Sequence, residues 1–115
     1  IKPFVDKIDQ QVMFAEKSWG SFRVLDIEDE SMTIKVTLMP GHKMNYYIHE
    51  HRDEVWTIVQ GNGQAILDDE IKDVRPGDVL TMKAGCKHTI AAVTELKLIE
   101  VQLGKEISVK DKIKY

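Results

Sequence analysis

The sequence predicts an all-β domain of the jelly-roll barrel type. Three observations carry that expectation. Short β-rich runs recur at nearly regular spacing from Trp19 onward, Pro-Gly turns at Pro40-Gly41 and Pro76-Gly77 punctuate them, and no long segment of helical period intervenes. At 115 residues the chain has the size of one domain, and evenly spaced strands favour a closed β architecture over a layered α/β one.

Along the chain, residues 1–16 read as an N-terminal arm or short helix, because Phe4, Ile8 and Val12 recur at helical spacing behind Pro3. Residues 17–115 form the domain proper. Met32 to Met39 alternates apolar and polar side chains and stops at Pro40-Gly41, the pattern of a half-buried strand. Glu54 to Gln60 is β-branched and aromatic, and Gly61-Asn62-Gly63 behind it predicts a hairpin into Gln64 to Leu67. Asp68-Asp69-Glu70 makes the next turn, and Ile71 to Arg75 the next strand. Pro76-Gly77-Asp78 turns the chain into Val79 to Met82, and Leu96 to Leu103 is a further strand closed by Gly104. The Lys-rich tail from Lys105 alternates Ile107 and Val109 and reads as an edge strand guarded by charge. Eight or nine strands result. Trp19, Phe22 and Trp56 are expected at core strand positions, with Trp19-Gly20 closing one end of the barrel.

Composition removes several function classes. The net charge of −3 and the absence of a Lys/Arg cluster leave no footprint for nucleic acid or an anionic membrane. No apolar run approaches the ~20 residues of a membrane span, and the first residues lack the apolar core of a signal peptide. Cys86 is the one cysteine, which excludes an internal disulfide and fits a reducing compartment, so a cytoplasmic location is expected. Apolar side chains on the outer faces of Thr33 to Leu38 and Leu96 to Leu103 predict a homodimer.

The chemistry lies in His49-Glu50-His51. On a strand both imidazoles face one way, about 6.5–7 Å apart along the chain, and two rings at that spacing can converge on one cation. An isolated His-x-His is also common on exposed strands. Glu54 has the wrong parity for the same face unless Arg52-Asp53 bends the chain, and a solvated strand-start acid is its other reading. His88, after the turn from Lys83 to Lys87, completes a set of three His and one carboxylate able to hold one divalent metal ion (Zn, Mn, Fe, Co or Ni) with positions left open.

The frame around these residues resembles the two motifs of the cupin family: Pro40-Gly41, His49-Glu50-His51, Glu54 and Gly61, then Gly77, Gly85 and His88. More narrowly, Lys17-Ser18-Trp19-Gly20, His49 to Trp56, Val59-Gln60-Gly61 and Leu98 to Gly104 resemble the type II mannose-6-phosphate isomerases. In that family the cupin is usually the C-terminal domain behind a mannose-1-phosphate guanylyltransferase. The resemblance covers roughly residues 17 to 104 and implies a double-stranded β-helix with the metal inside. Four departures stand out. Tyr47 occupies the position where the family usually has Gln, Lys83 replaces a Pro, Ala92 replaces an Asn, and the segment after Gly104 offers Lys where the family has Arg. The guanylyltransferase nucleotide loop is absent from the chain, so guanylyl transfer is not expected of it.

The resemblance implies a metal-dependent isomerase acting on a small sugar phosphate. Arg52 matches an Arg of the motif and could hold phosphate in bidentate fashion, or pair with Asp53 or Glu50 at the surface. Lys43 could line the barrel mouth, or lie along the surface as a strand lysine. Tyr47, sharing parity with His49, and Glu100, an acid on an otherwise apolar strand, are the candidate proton carriers, and parity alone does not say which way Glu100 faces. Cys86 is a weaker candidate ligand, and His42 is expected to be exposed. Two alternatives compete with the isomerase: a non-catalytic cupin that binds a sugar or other small ligand, and a metal-dependent oxygenase or lyase.

Overall fold

In the computed structural model the described residues are 13–44 and 52–104, with the backbone alone of 47–48 and 113–114. The strands run in chain order as β1 (Phe14–Lys17), β2 (Gly20–Ile27), β3 (Ser31–Leu38), β4 (Tyr47–Ile48), β5 (Asp53–Gln60), β6 (Gly63–Leu67), β7 (Glu70–Val74), β8 (Val79–Met82), β9 (His88–Ala92), β10 (Leu96–Leu103) and β11 (Ile113–Lys114). They form two antiparallel sheets, one ordered β1-β2-β3-β10-β5-β8 and the other β11-β4-β9-β6-β7. Consecutive strands repeatedly change sheet, which is the jelly-roll connectivity.

Alternation sets the two faces of each sheet. On β3, Met32, Ile34, Val36 and Leu38 are buried while Lys35 is exposed. On β10 the buried parity is Leu96, Leu98, Glu100 and Gln102, and on β5 it is Glu54, Trp56 and Ile58. Register then stacks these positions in rows across the sheet. Val36, Leu98 and Ile58 form one row, Ile34, Glu100 and Trp56 the next, and Met32, Gln102, Glu54 and Met82 the last. Ala65, Ile90 and Ala92 close over them from the other sheet.

The expected hairpin between β5 and β6 does not form. β5 already has partners on both edges, β10 and β8, so the chain leaves at Gly61 and β6 pairs with β7 and β9 in the opposite sheet. Gly61 permits the crossing: its φ is +85°, and a Cβ there would fall 1.9 Å from the carbonyl oxygen of Glu95. Asn62 ties the loop to the β9–β10 connection, its N–H donating to Thr94 Oγ1 at 2.9 Å and its carbonyl accepting from Val93 N–H at 2.9 Å.

The tight hairpin lies one step later. Asp68 and Asp69 take φ of 48° and 69°, the left-handed pair that a two-residue turn between β6 and β7 requires, and Glu70 belongs to the strand rather than to the turn. Trp19 sits in the turn between β1 and β2 and not on a strand, although its side chain packs against the core. β1 runs across the expected boundary at residues 16 and 17, and the helical reading of residues 1–12 lies outside the described residues. At the other terminus β11 pairs with β4 at a sheet edge.

Candidate functional site

The two ends of the barrel interior differ. From Leu96 and Leu38 to Ile58 and Leu98 it is apolar, and from Trp56 and Glu100 onward β5 and β10 add buried polar groups between Ile34, Met32 and Met82. Glu54 is 2% exposed, so it is no solvated strand-start acid. Its register partners are Met82 on β8 and Gln102 on β10. His88 opens β9 in the facing sheet, where its backbone pairs with Tyr47 and Leu67, and its ring meets the edge of Trp56 at a centroid separation of 5.5 Å.

Glu54 and His88 meet across the barrel, with Nε2 to Oε1 at 3.1 Å and both side chains buried. The other ring nitrogen, Nδ1, lies 3.0 Å from the carbonyl oxygen of Cys86, which can only accept, so Nδ1 carries a proton. A neutral ring would therefore aim the Nε2 lone pair at a carboxylate lone pair. Two acceptors this close need a cation between them. Burial opposes a charge on His88, but the hydrogen bond and charge of Glu54 outweigh it and raise its pKa, which favours a proton between the two. Arg52 adds a further positive charge, with Nε 3.5 Å from Glu54 Oε2. At 5% exposure, Arg52 is an interior residue beside Glu54 and not a surface arginine.

Glu100 faces inward, which resolves its parity. Trp56 Nε1 donates to its Oε1 at 2.7 Å and Gln102 Nε2 donates to its Oε2 at 2.6 Å. Those donors favour the carboxylate, yet burial, with the charge of Glu54 added, prevails and raises the pKa. Gln102 is 5% exposed, and its Oε1 is buried without a hydrogen-bond partner among the described residues. An acceptor left in that state costs about 1–3 kcal/mol.

The structure thus brings together Glu54, His88, Arg52 and Glu100 among the residues singled out by sequence. His49 and His51 lie outside the described residues, and of Tyr47 only the backbone is described, paired with His88. Among the described residues no group of three or more metal-ligating side chains gathers. Lys43 is exposed, and its backbone bridges Ala91, whose parity on β9 is opposite to that of His88 and Ile90, so it does not join the cluster. His42 is exposed. Cys86 lies beside the site, but burial and the nearby Asp68 push its thiol up to about 11, which keeps it protonated at neutral pH. Trp56 and Gln102 were not legible as polar partners from composition. The signal lay in pairing parity, since two successive inward positions of β10 are polar after two that are Leu.

Residues 6–115 match the model of the family described as mannose-6-phosphate isomerase C-terminal. A mannose-1-phosphate guanylyltransferase of Escherichia coli (strain K12) is 26% identical over 101 residues, covering 86% of this chain and 21% of that protein. The chain spans about a fifth of the length of the curated relatives it matches. Among solved structures, an oxalate decarboxylase variant from B. subtilis superposes with a TM-score of 0.78 at 19% identity, covering 89% of this chain and 30% of that one. A cupin superfamily protein from Desulfitobacterium hafniense DCB-2 gives 0.66 at 24% identity over 71% of this chain and 74% of that one. No described helix is long and apolar enough to cross a membrane. The chain has the fold of the cupin structures and belongs to the family described as mannose-6-phosphate isomerase C-terminal.

Proposed function

We propose that this domain is a metal-dependent isomerase interconverting mannose 6-phosphate and fructose 6-phosphate. The observation that carries it is the buried contact of Glu54 with His88 beside the buried acid Glu100. A buried carboxylate facing an imidazole is a donor pair of the kind a divalent ion takes. The Nδ1–H···O=C bond to Cys86 would present His88 Nε2 as a ligand atom beside the Glu54 carboxylate. Glu54 and His88 would hold the ion, with His49 and His51 completing the set by their motif. Such an ion supplies Lewis-acid polarisation of neighbouring hydroxyl and carbonyl oxygens.

The remaining chemistry belongs to the chain. Aldose–ketose isomerisation moves a proton from C2 to C1 of the sugar while a hydroxyl proton passes from O2 to O1, by way of an enediol. A carboxyl whose pKa burial raises above its ordinary range is suited to that task, and Glu100 is such a group. Trp56 fixes its orientation through Oε1. Arg52 places a cationic charge at this end of the barrel, where a sugar's phosphate would be drawn. Tyr47, in register with His88, stands where the family's Gln would meet substrate.

The competing reading is a cupin that binds a sugar without turnover, and the phenol at Tyr47 in place of an amide favours it. Metal content after purification without added metal, followed by an assay on mannose 6-phosphate with each of Zn, Mn, Fe, Co and Ni restored, separates the two. Metal uptake with turnover supports the isomerase. Metal uptake with sugar binding and no turnover supports the binding protein, and no uptake of any metal removes the metal reading.

A further inference from the structure

We infer that Gln102 is a ligand-binding residue whose amide receives a hydroxyl group of a polyol or sugar. The inference deepens the isomerase reading, and rests on it, by naming the residue that meets a substrate hydroxyl. Gln102 is 5% exposed, donates through Nε2 to Glu100 Oε2 at 2.6 Å, and leaves Oε1 buried with no hydrogen-bond partner among the described residues. Its flanking inward positions in the sheet are Glu54 on β5 and Met32 on β3, neither of which has a hydrogen to donate to that oxygen when Glu54 is ionised.

In the orientation that donates Nε2 to Glu100, Oε1 is the open atom, and a hydroxyl, which can donate, satisfies it. Buried polar atoms are nearly always partnered, so an open one in register with the candidate ligand Glu54 marks a place built for a visiting group. The chemical class follows from the neighbours. A carboxylate on each side disfavours an anionic visitor at this atom and suits a neutral hydroxyl, with the substrate's phosphate placed elsewhere.

The test is calorimetric titration of the purified protein with two probes, mannose 6-phosphate and mannitol, in wild type, Gln102→Met and Trp56→Phe. Gln102→Met keeps the side-chain length without the amide, and Trp56→Phe is the control that also takes one donor from Glu100. Gln102→Met should weaken whichever probe binds by about tenfold, and Trp56→Phe by much less. The side-chain amide resonance of Gln102 in wild type should move on saturation, a readout that does not depend on the variant folding. Mannose 6-phosphate bound equally by wild type and Gln102→Met, or an unmoved resonance at saturation, overturns the assignment and leaves the isomerase reading standing. Mannitol bound through Gln102 with no affinity for mannose 6-phosphate does the reverse. Equal losses in Gln102→Met and Trp56→Phe would show Gln102 acting only by holding Glu100, and no binding of either probe overturns both readings.

Discussion

β5 and β10 pass through both ends of the barrel, and their two halves have opposite chemistry. At one end Ile58 meets Leu98, with Leu96 and Leu38 beyond, all at 0–1% exposure. At the other end the same two strands bury Glu54 and Trp56 against Glu100 and Gln102. Pairing runs without a register shift from Leu98 and Ile58 to Leu103 and Asp53, and the shift between these strands falls in the apolar half, between Lys97 and Leu98. The apolar half gains stability from every side chain it removes from water, whereas the polar half must offset the desolvation of two carboxylates. A fold that retains such a half has a use for it. The comparison therefore separates residues that hold the barrel from residues that do its chemistry, and substitutions in the two halves should fail in different ways.

The largest effect is expected in the apolar half. Leu98 is fully buried between Val36 and Ile58. Leu98→Ala should lower unfolding free energy by about 2–5 kcal/mol, read from denaturant midpoints, while the protein that remains folded takes up metal as wild type does. A matching fall in metal affinity would mean the halves are not separable. His88→Ala should do the converse. Removing one side of the Glu54 contact should weaken metal uptake at least about 100-fold, with the antiparallel sheets intact by circular dichroism. Unchanged uptake would remove His88 from the ligand set.

Legibility in the sequence divides along the same line. The apolar half was readable because alternation in Met32 to Leu38 fixes a buried face whichever strand lies next to it. The crossing at Gly61 was not, because Gly-Asn-Gly suits a two-residue hairpin equally well, and only the occupied edges of β5 forbid one. Glu54 and His88 were legible as chemistry through motif spacing, 34 residues apart in the chain. The Glu100 cluster was only half legible. Its acid stands out on an apolar strand, but its inward direction depends on the register with Trp56 and Ile34, a long-range pairing that no local pattern encodes.

Glu100 sharpens the comparison with a smaller effect, one that depends on pH. Its folded pKa lies above the ordinary 4.5, so the folded state keeps a proton that the unfolded chain releases first. The linked stability is present below pH 4.5 and is lost as pH rises through the folded value. Glu100→Gln cannot titrate and can still accept from Trp56. Its stability should fall less than that of wild type over the same rise in pH, measured on metal-free protein by urea unfolding at successive pH values. Parallel curves would show that Trp56 and Gln102 stabilise the carboxylate as fully as water does.

The smallest effect belongs outside both halves. Lys83 replaces the family's Pro in the loop that leads to His88, and its Nζ lies 3.6 Å from Asp53 Oδ2 while the side chain is 79% exposed. Water screens an ion pair of that kind, so Lys83→Ala should change stability by no more than about 0.5 kcal/mol. Asp53 is different, because its Oδ1 accepts the Ala84 backbone N–H at 2.7 Å and ties the loop to the start of β5, one residue before Glu54. Asp53→Ala should therefore weaken metal uptake several-fold, the size of effect expected when a group that orients a ligand is lost, while Lys83→Ala leaves uptake unchanged. Equal effects of the two substitutions would assign the loop's position to the ion pair rather than to the backbone hydrogen bond.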